Sequence, residues 1–414
     1  MKLALINIKQ LVTVASQRRR VKTGADMREI GMVENAAVLV EESVITWVGN
    51  MEQLSMSSLN EADVVDCTNN VVMPGFVDSH THLVFAGSRE EEFAMRSGGA
   101  TYQQIAERGG GIINTVRNVR AASKKELMKK ARRWLSAMLR HGTTVAEIKS
   151  GYGLDMDNEV KMLEAIVELA KEEMTTIVPT FLGAHAVPPE YKENKSGYVR
   201  LIIERMLPYI APRKLAEFCD VFCERGYFDL QDTEEILTFA KQSGLALKVH
   251  AEELTPLGGA QLAAQLNAVS VDHLEHITDN GIQALADSQT VATLLPGVSF
   301  FLNHQYAPAR ALIEGGVPVA IATDFNPGSC MSYSMPLMMT IACTHMKMTP
   351  EEAITASTLN AAAALSRSQE YGSIEVGKKA DMILLNIPNY KFLAYHFGEN
   401  HVDRVIKHGV VLEF

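Results

Sequence analysis

Between residues 71 and 356, apolar runs of strand length alternate eight times with helical stretches. The runs are VVMPGFVDSH, TTVAEIKSG, TTIVPTFLGAH, CDVFCERG, LALKVHAEE, AVSVDHLEH, TVATLLPG and PVAIATDFNPG. Most are near-continuously apolar, the pattern of parallel strands covered on both faces. In the helical stretch KKELMKKARRWLSAMLRHG, residues Leu127, Ala131, Leu135, Met138 and Leu139 fall on one helix face. Gly142 and Gly244 stand where helices should close. Eight strand–helix repeats predict an α/β fold, a (β/α)8 barrel of the TIM type.

The two ends of the chain have a different texture. LALINIKQLVTV, AAVLVEESVITWVG and ADVVDC near the start, and ADMILLNI and VDRVIKHGVVLEF near the end, are short and rich in β-branched residues. They predict a small β-sandwich domain made from residues 1–70 plus 357–414, beside a barrel of residues 71–356.

Composition narrows the function. The net charge is -10, against the basic face that a nucleic-acid binder needs. Arg18, Arg19, Arg20 and Lys22 read as an exposed loop. The five cysteines are odd in number and lack a CxxC, which suits reduced thiols in the cytoplasm. Cys219 and Cys223 lie in an apolar run and read as core. The start, MKLALINIKQLVTVA, is interrupted by Lys9 and Gln10 and reads as a strand, not a signal peptide. No apolar run reaches membrane-spanning length. A homodimer is the default assembly.

In barrels of this type, chemistry sits at the C-terminal ends of the strands. There the sequence places His80 and His82 on the first strand, Glu147 and Lys149 on the second, and His185 on the third. Glu224 and Arg225 end the fourth, His250, Glu252 and Glu253 the fifth, and Asp272, His273, Glu275 and His276 the sixth. Asp324, Asn326, Gly328 and Ser329 end the eighth, while the seventh offers nothing ionisable. His80 and His82, two apart on a strand, point to one face. With His250 and Asp324 they make a nitrogen and oxygen ligand set that leaves a position for water and suits zinc, iron or manganese. Lys149 reads either as a carboxylated lysine bridging two metals or as a plain lysine beside the site. The plain reading is preferred, since the four ligands already serve one ion.

PGFVDSHTH, HAEE, DH and TDFNPGS resemble the amidohydrolase superfamily, and GSIEVGKKADMILLN resembles its return into a small β domain. Within it, SHTHLVFAGSREEEF, GGGI, EIKSGYGLD, FLGAHAVPPEY and TDFNPGS resemble the imidazolonepropionase family of histidine breakdown. The resemblance implies hydrolytic ring opening of 4-imidazolone-5-propanoate to N-formimidoyl-L-glutamate. It implies one Zn2+ or Fe3+ ion per subunit on His80, His82, His250 and Asp324. It also implies substrate contacts at Arg89, Tyr152, His185, Glu253, Asn326, Gly328 and Ser329.

The chemistry of these residues agrees. The substrate carries a carboxylate, which the planar fork of Arg89 can clamp. The Asn326–Ser329 turn is either a carboxylate-binding set of amides or a plain turn. Glu253 is the expected general base and acid, Asp324 a ligand that can also take a proton, and His273 an oxyanion donor or a structural residue bonded to Asp272. Two rival readings are a purine or pyrimidine aminohydrolase, which would release ammonia, and a non-catalytic barrel, which should have lost its ligands.

Overall fold

The computed structural model describes residues 2–100, 104 and 109–413. Met1 and Phe414, read above as part of the terminal β segments, lie outside them. Eight parallel strands follow one another around a barrel in chain order: Phe76–Asp78, Thr143–Lys149, Thr176–Ala184, Phe218–Cys223, Ala246–Ala251, Ser270–His273, Val291–Leu294 and Val319–Ile321. The ring closes just past the strand ends. There the amides of Asp324 and His82 donate to the carbonyls of His80 and Phe325, each at 3.0 Å. Below this seam, Thr323 donates through its amide and hydroxyl to buried Asp78.

Side-chain alternation sorts the strands into two faces. Outward residues such as Ala146, Ile148, Cys219, Val221, Cys223, Val249, Val271 and Leu294 join the core shared with the helices. All five cysteines are free. The helix Lys124–Arg140 buries Leu127, Met128, Ala131, Leu135, Met138 and Leu139, and a reciprocal Ser123–Glu126 capping box starts it. Gly142 follows it at φ 89°, the left-handed conformation that glycine tolerates.

Inside the barrel the composition changes with height. At the N-terminal end Val77, Val145, Val178, Phe218, Val291 and Ala320 pack on Ala361–Leu365 and Tyr371 as an apolar plug. One inward position higher the residues turn charged, Glu147, Asp220, Lys248 and Asp272, with Lys149 one step above Glu147, all buried. Above them lie the histidines and the cavity.

The run VVMPGFVDSH is not one strand. Val71–Pro74 pairs with Met382–Leu385 and with Lys2–Val12 in a second sheet, while Phe76–Asp78 begins the barrel. Gly75 makes the change of sheet, and a Cβ there would come within 2.4 Å of the Thr144 side chain. The second sheet is mixed. Its order is Val410–Leu412, Val402–Lys407, Met382–Leu385, Val71–Pro74, Lys2–Val12, Met32–Glu41 and Val44–Asn50, with Asp63–Asp66 also on Lys2–Val12. It closes over a core of Leu3, Leu5, Ile8, Val38, Val40, Ile45, Met382, Leu384 and Ile406, a small sandwich drawn from both ends of the chain. Lys22, expected on an exposed loop, is instead buried, with its ammonium on the Glu29 carbonyl. Among the described residues no helix is long and apolar enough to cross a membrane.

Candidate active site

The barrel seam turns His80 and His82 toward Asp324. Their Nε2 atoms lie 3.4 and 3.3 Å from one atom, Asp324 Oδ1. The His250 ring, from the end of the fifth strand, meets the His80 ring edge-on with centroids 4.5 Å apart. All four side chains are buried. His80 Nε2, His250 Nε2 and Asp324 Oδ1 have no hydrogen-bond partner among the described residues. Buried acceptors rarely stay unpaired, so this convergence fits a cation. Among the described residues three overlapping groups hold ligand atoms within 4.8 Å of one another: His80 with His82 and Asp324, His80 with His250 and His273, and, beneath them, His80 with Glu147 and Asp272.

The rings are held from behind. His80 Nδ1 donates to Asp272 Oδ2 at 2.6 Å, and His250 Nδ1 to Asp220 Oδ1 at 3.0 Å. A carboxylate accepting at Nδ1 leaves Nε2 as the free lone pair, the usual arrangement around a metal. Burial and nearby Lys149 oppose charge on His80, but the bond to Asp272 and the Asp324 carboxylate 3.4 Å away outweigh them and push it up to about 9. Burial would raise Asp324, yet His80 and His82 hold it well below the usual carboxylate range. Burial and the neighbouring His80 charge push His250 well below its ordinary value.

A cavity of about 620 Å³ opens above this cluster. His82, His250, His273, Asp324 and all the sequence-predicted substrate residues line it. Tyr152 sits on the SGYG turn, its ring 5.4 Å from that of His185. Buried Glu159 accepts from the amides of Gly151, Gly153 and Leu154 and so shapes that turn. His185 stacks on His82 at 5.0 Å and donates Nδ1 to the Gly151 carbonyl at 3.0 Å. Burial first, then His82, push it down to about 3, so it is neutral with Nε2 an acceptor.

Arg89 gives Nε and Nη2 to Glu92, each at 2.8 Å, and its Nη1 lies over Gly328. The Asn326 turn is an Asx turn. Asn326 Oδ1 accepts from the amides of Gly328 and Ser329 at 2.7 and 2.8 Å. Those amides therefore serve the turn, and Ser329 presents its hydroxyl 3.3 Å from Asp324 Oδ2.

Glu253 Oε2 lies 3.7 Å from His273 Nε2, and burial raises its carboxyl above the usual range. His273 does not bond Asp272; its Nδ1 faces Glu275 at 3.7 Å. Glu252 turns away, accepting from the Gly258 amide at 3.0 Å. His273 and Asp324 both hold left-handed backbone, φ 82° and 48°, a strain that ordinary strand ends lack. Lys149 is buried beneath the cavity among carboxylates, as an ammonium should be; a carbamate anion would be repelled there.

Sequence reasoning passed over Glu92, Arg96, Phe222, Tyr227 and His304, all on the cavity wall. Glu92 had a signal, three residues past Arg89 at the start of a helix. His304 had none, because it follows the helix Pro296–Leu302 rather than a strand end.

A parallel barrel with imidazoles and a carboxylate converging at its C-terminal mouth defines a metal-dependent hydrolase of the amidohydrolase type. A model of the amidohydrolase family matches residues 71–412, and the chain belongs to that family. Its relatives narrow the placement. The imidazolonepropionase of Geobacillus sp. (strain WCH70) is 48% identical, with 98% of this chain and 96% of that protein covered. The imidazolonepropionase of Porphyromonas gingivalis (strain ATCC 33277) is 48% identical, over 100% of this chain and 97% of that protein. Among solved structures, E. coli guanine deaminase shares the fold at TM-score 0.76 and 14% identity, covering 100% of this chain and 99% of that one.

Proposed function

We propose that this chain is a hydrolase that opens the ring of 4-imidazolone-5-propanoate with water, giving N-formimidoyl-L-glutamate. The observation that carries the reading is full-length 48% identity to imidazolonepropionases, joined to a cavity where ligand-type imidazoles face an arginine. His80, His82, His250 and Asp324 would hold one metal ion, zinc or ferric iron. That ion supplies Lewis acidity, which makes water nucleophilic near neutral pH.

The chain's own residues do the rest. Arg89, braced by Glu92, takes the propionate through its exposed edge, and Gly328 leaves room for it. Tyr152 and neutral His185 hold the ring, His185 accepting at Nε2. Asn326 and Ser329 shape the wall beside Asp324. Glu253, whose proton affinity is raised by burial, removes a proton from the attacking water and returns it to the leaving ring nitrogen. His273 stands beside Glu253 and donates to the oxyanion. The accompanying expectation is a cytoplasmic homodimer, to be checked by light scattering and fractionation.

The test is turnover of imidazolone propionate by protein loaded in turn with Zn2+, Fe3+ and no metal, with product identified by mass spectrometry. Ring-opened product without ammonia supports the reading. Ammonia release from purines or pyrimidines, with no turnover of imidazolone propionate, overturns it.

A further inference from the structure

We infer that Lys149 is a positioning residue that locks the two ring-orienting carboxylates, Asp220 and Asp272, into one unit beneath the metal ligands. The inference rests on the reading of His80 and His250 as ligands. Lys149 Nζ lies 2.7 Å from Asp220 Oδ2, 2.8 Å from Glu147 Oε2 and 3.6 Å from Asp272 Oδ2. The same Asp220 carboxylate accepts from His250, with both oxygens 3.0 Å from Nδ1, and Asp272 accepts from His80. One ammonium on the second strand therefore reaches ligand rings on the fifth and first strands through a single carboxylate each.

The five charged groups involved are Glu147, Lys149, Asp220, Lys248 and Asp272, and every one is fully buried. A buried carboxylate without a cation is expensive, so each must be partnered. The partnering is unequal. Asp272 also has Lys248 Nζ at 3.8 Å and accepts from the Ser270 hydroxyl at 2.7 Å. Among the described residues Lys149 is the one lysine or arginine within ion-pair distance of Asp220. Loss of the ammonium therefore frees Asp220 more than Asp272, and loosens His250 more than His80. Removing such outer partners weakens metal affinity by about 10–100-fold.

The test uses Co2+ as the probe, with chelator-stripped wild type, K149M and D220N. Wild type should take up one Co2+ per chain. K149M and D220N should each hold it about 10–100-fold more weakly, with a changed visible Co2+ absorption band. The double variant should lose little beyond the single ones, because both cut the same link. A merely structural lysine would lower the melting temperature of the metal-free protein and leave Co2+ affinity and band unchanged; that result overturns the inference. Should K149M not fold, D220N decides alone, and wild-type affinity in D220N overturns it. Wild type that takes up no Co2+ defeats the ligand reading itself, a failure distinct from unaltered binding in the variants.

Discussion

Replacing Gly328 by alanine isolates the grip on the substrate's carboxylate. A Cβ at residue 328 would lie 2.0 Å from Arg89 Nη1 and 2.8 Å from its Cζ. The backbone there is not left-handed, so alanine adds a steric effect alone. An ordinary contact needs about 3.5 Å, so the guanidinium must retreat by about 1.5 Å. The far end of a flexible side chain can do this cheaply, and the melting temperature should hardly move. The bound carboxylate, however, loses a charge-assisted hydrogen bond of about 1.5–3 kcal/mol. That is about 10–100-fold in kcat/KM. Steady-state kinetics on imidazolone propionate, with R89A alongside, measures it. The two variants should fall by similar factors, mostly through KM. G328A that stays folded and keeps kcat/KM within twofold of wild type would refute the placement of Arg89 on the carboxylate.

Other substitutions separate the remaining roles. E253Q should lower kcat by about 10²–10⁴-fold while metal content, read by elemental analysis, stays at one per chain. H80A should lose both metal and turnover, and full metal occupancy in it would contradict the ligand assignment. E159Q can keep one oxygen for the amides of Gly153 and Leu154 but puts an amide NH2 where Oε2 accepts from the Gly151 amide at 3.1 Å, so Tyr152 should be misplaced. The unmade bond should cost about 1–3 kcal/mol in urea unfolding, with KM raised more than kcat is lowered. Chelator treatment should lower the melting temperature as well as abolish turnover, since metal at 100 times its Kd stabilises by about 2.7 kcal/mol. Restoration by added Zn2+ measures both.

Much of the fold was readable because a parallel barrel writes a local pattern. Each strand is a short apolar run, each helix has one apolar face, and each repeat stands near the next in space. The candidate ligands were readable for the same reason. His80, His82, His250 and Asp324 each end a strand run, and strand ends meet at one mouth whatever the details of register. The division of VVMPGFVDSH at Gly75 was not readable, because both halves are apolar and only pairing with Met382–Leu385 separates them. Of the two readings of His273, the structural one, a bond to Asp272, fails. Asp272 is adjacent in sequence, yet neighbours on a strand point to opposite faces, and Asp272 turns inward to His80.

The order of residues along the chain thus settles which side chains can reach the mouth of the barrel, since alternation and strand length are local properties. How they pair is a matter of register between strands. Asp220 meets His250 because the fourth and fifth strands align His250 with Phe222, next to which Asp220 lies one inward step below. Arg89 meets Gly328 because loops more than two hundred residues apart in sequence fold over one cavity. Contacts of that kind depend on the closure of the ring at Asp324 and His82, which no stretch of the chain encodes alone.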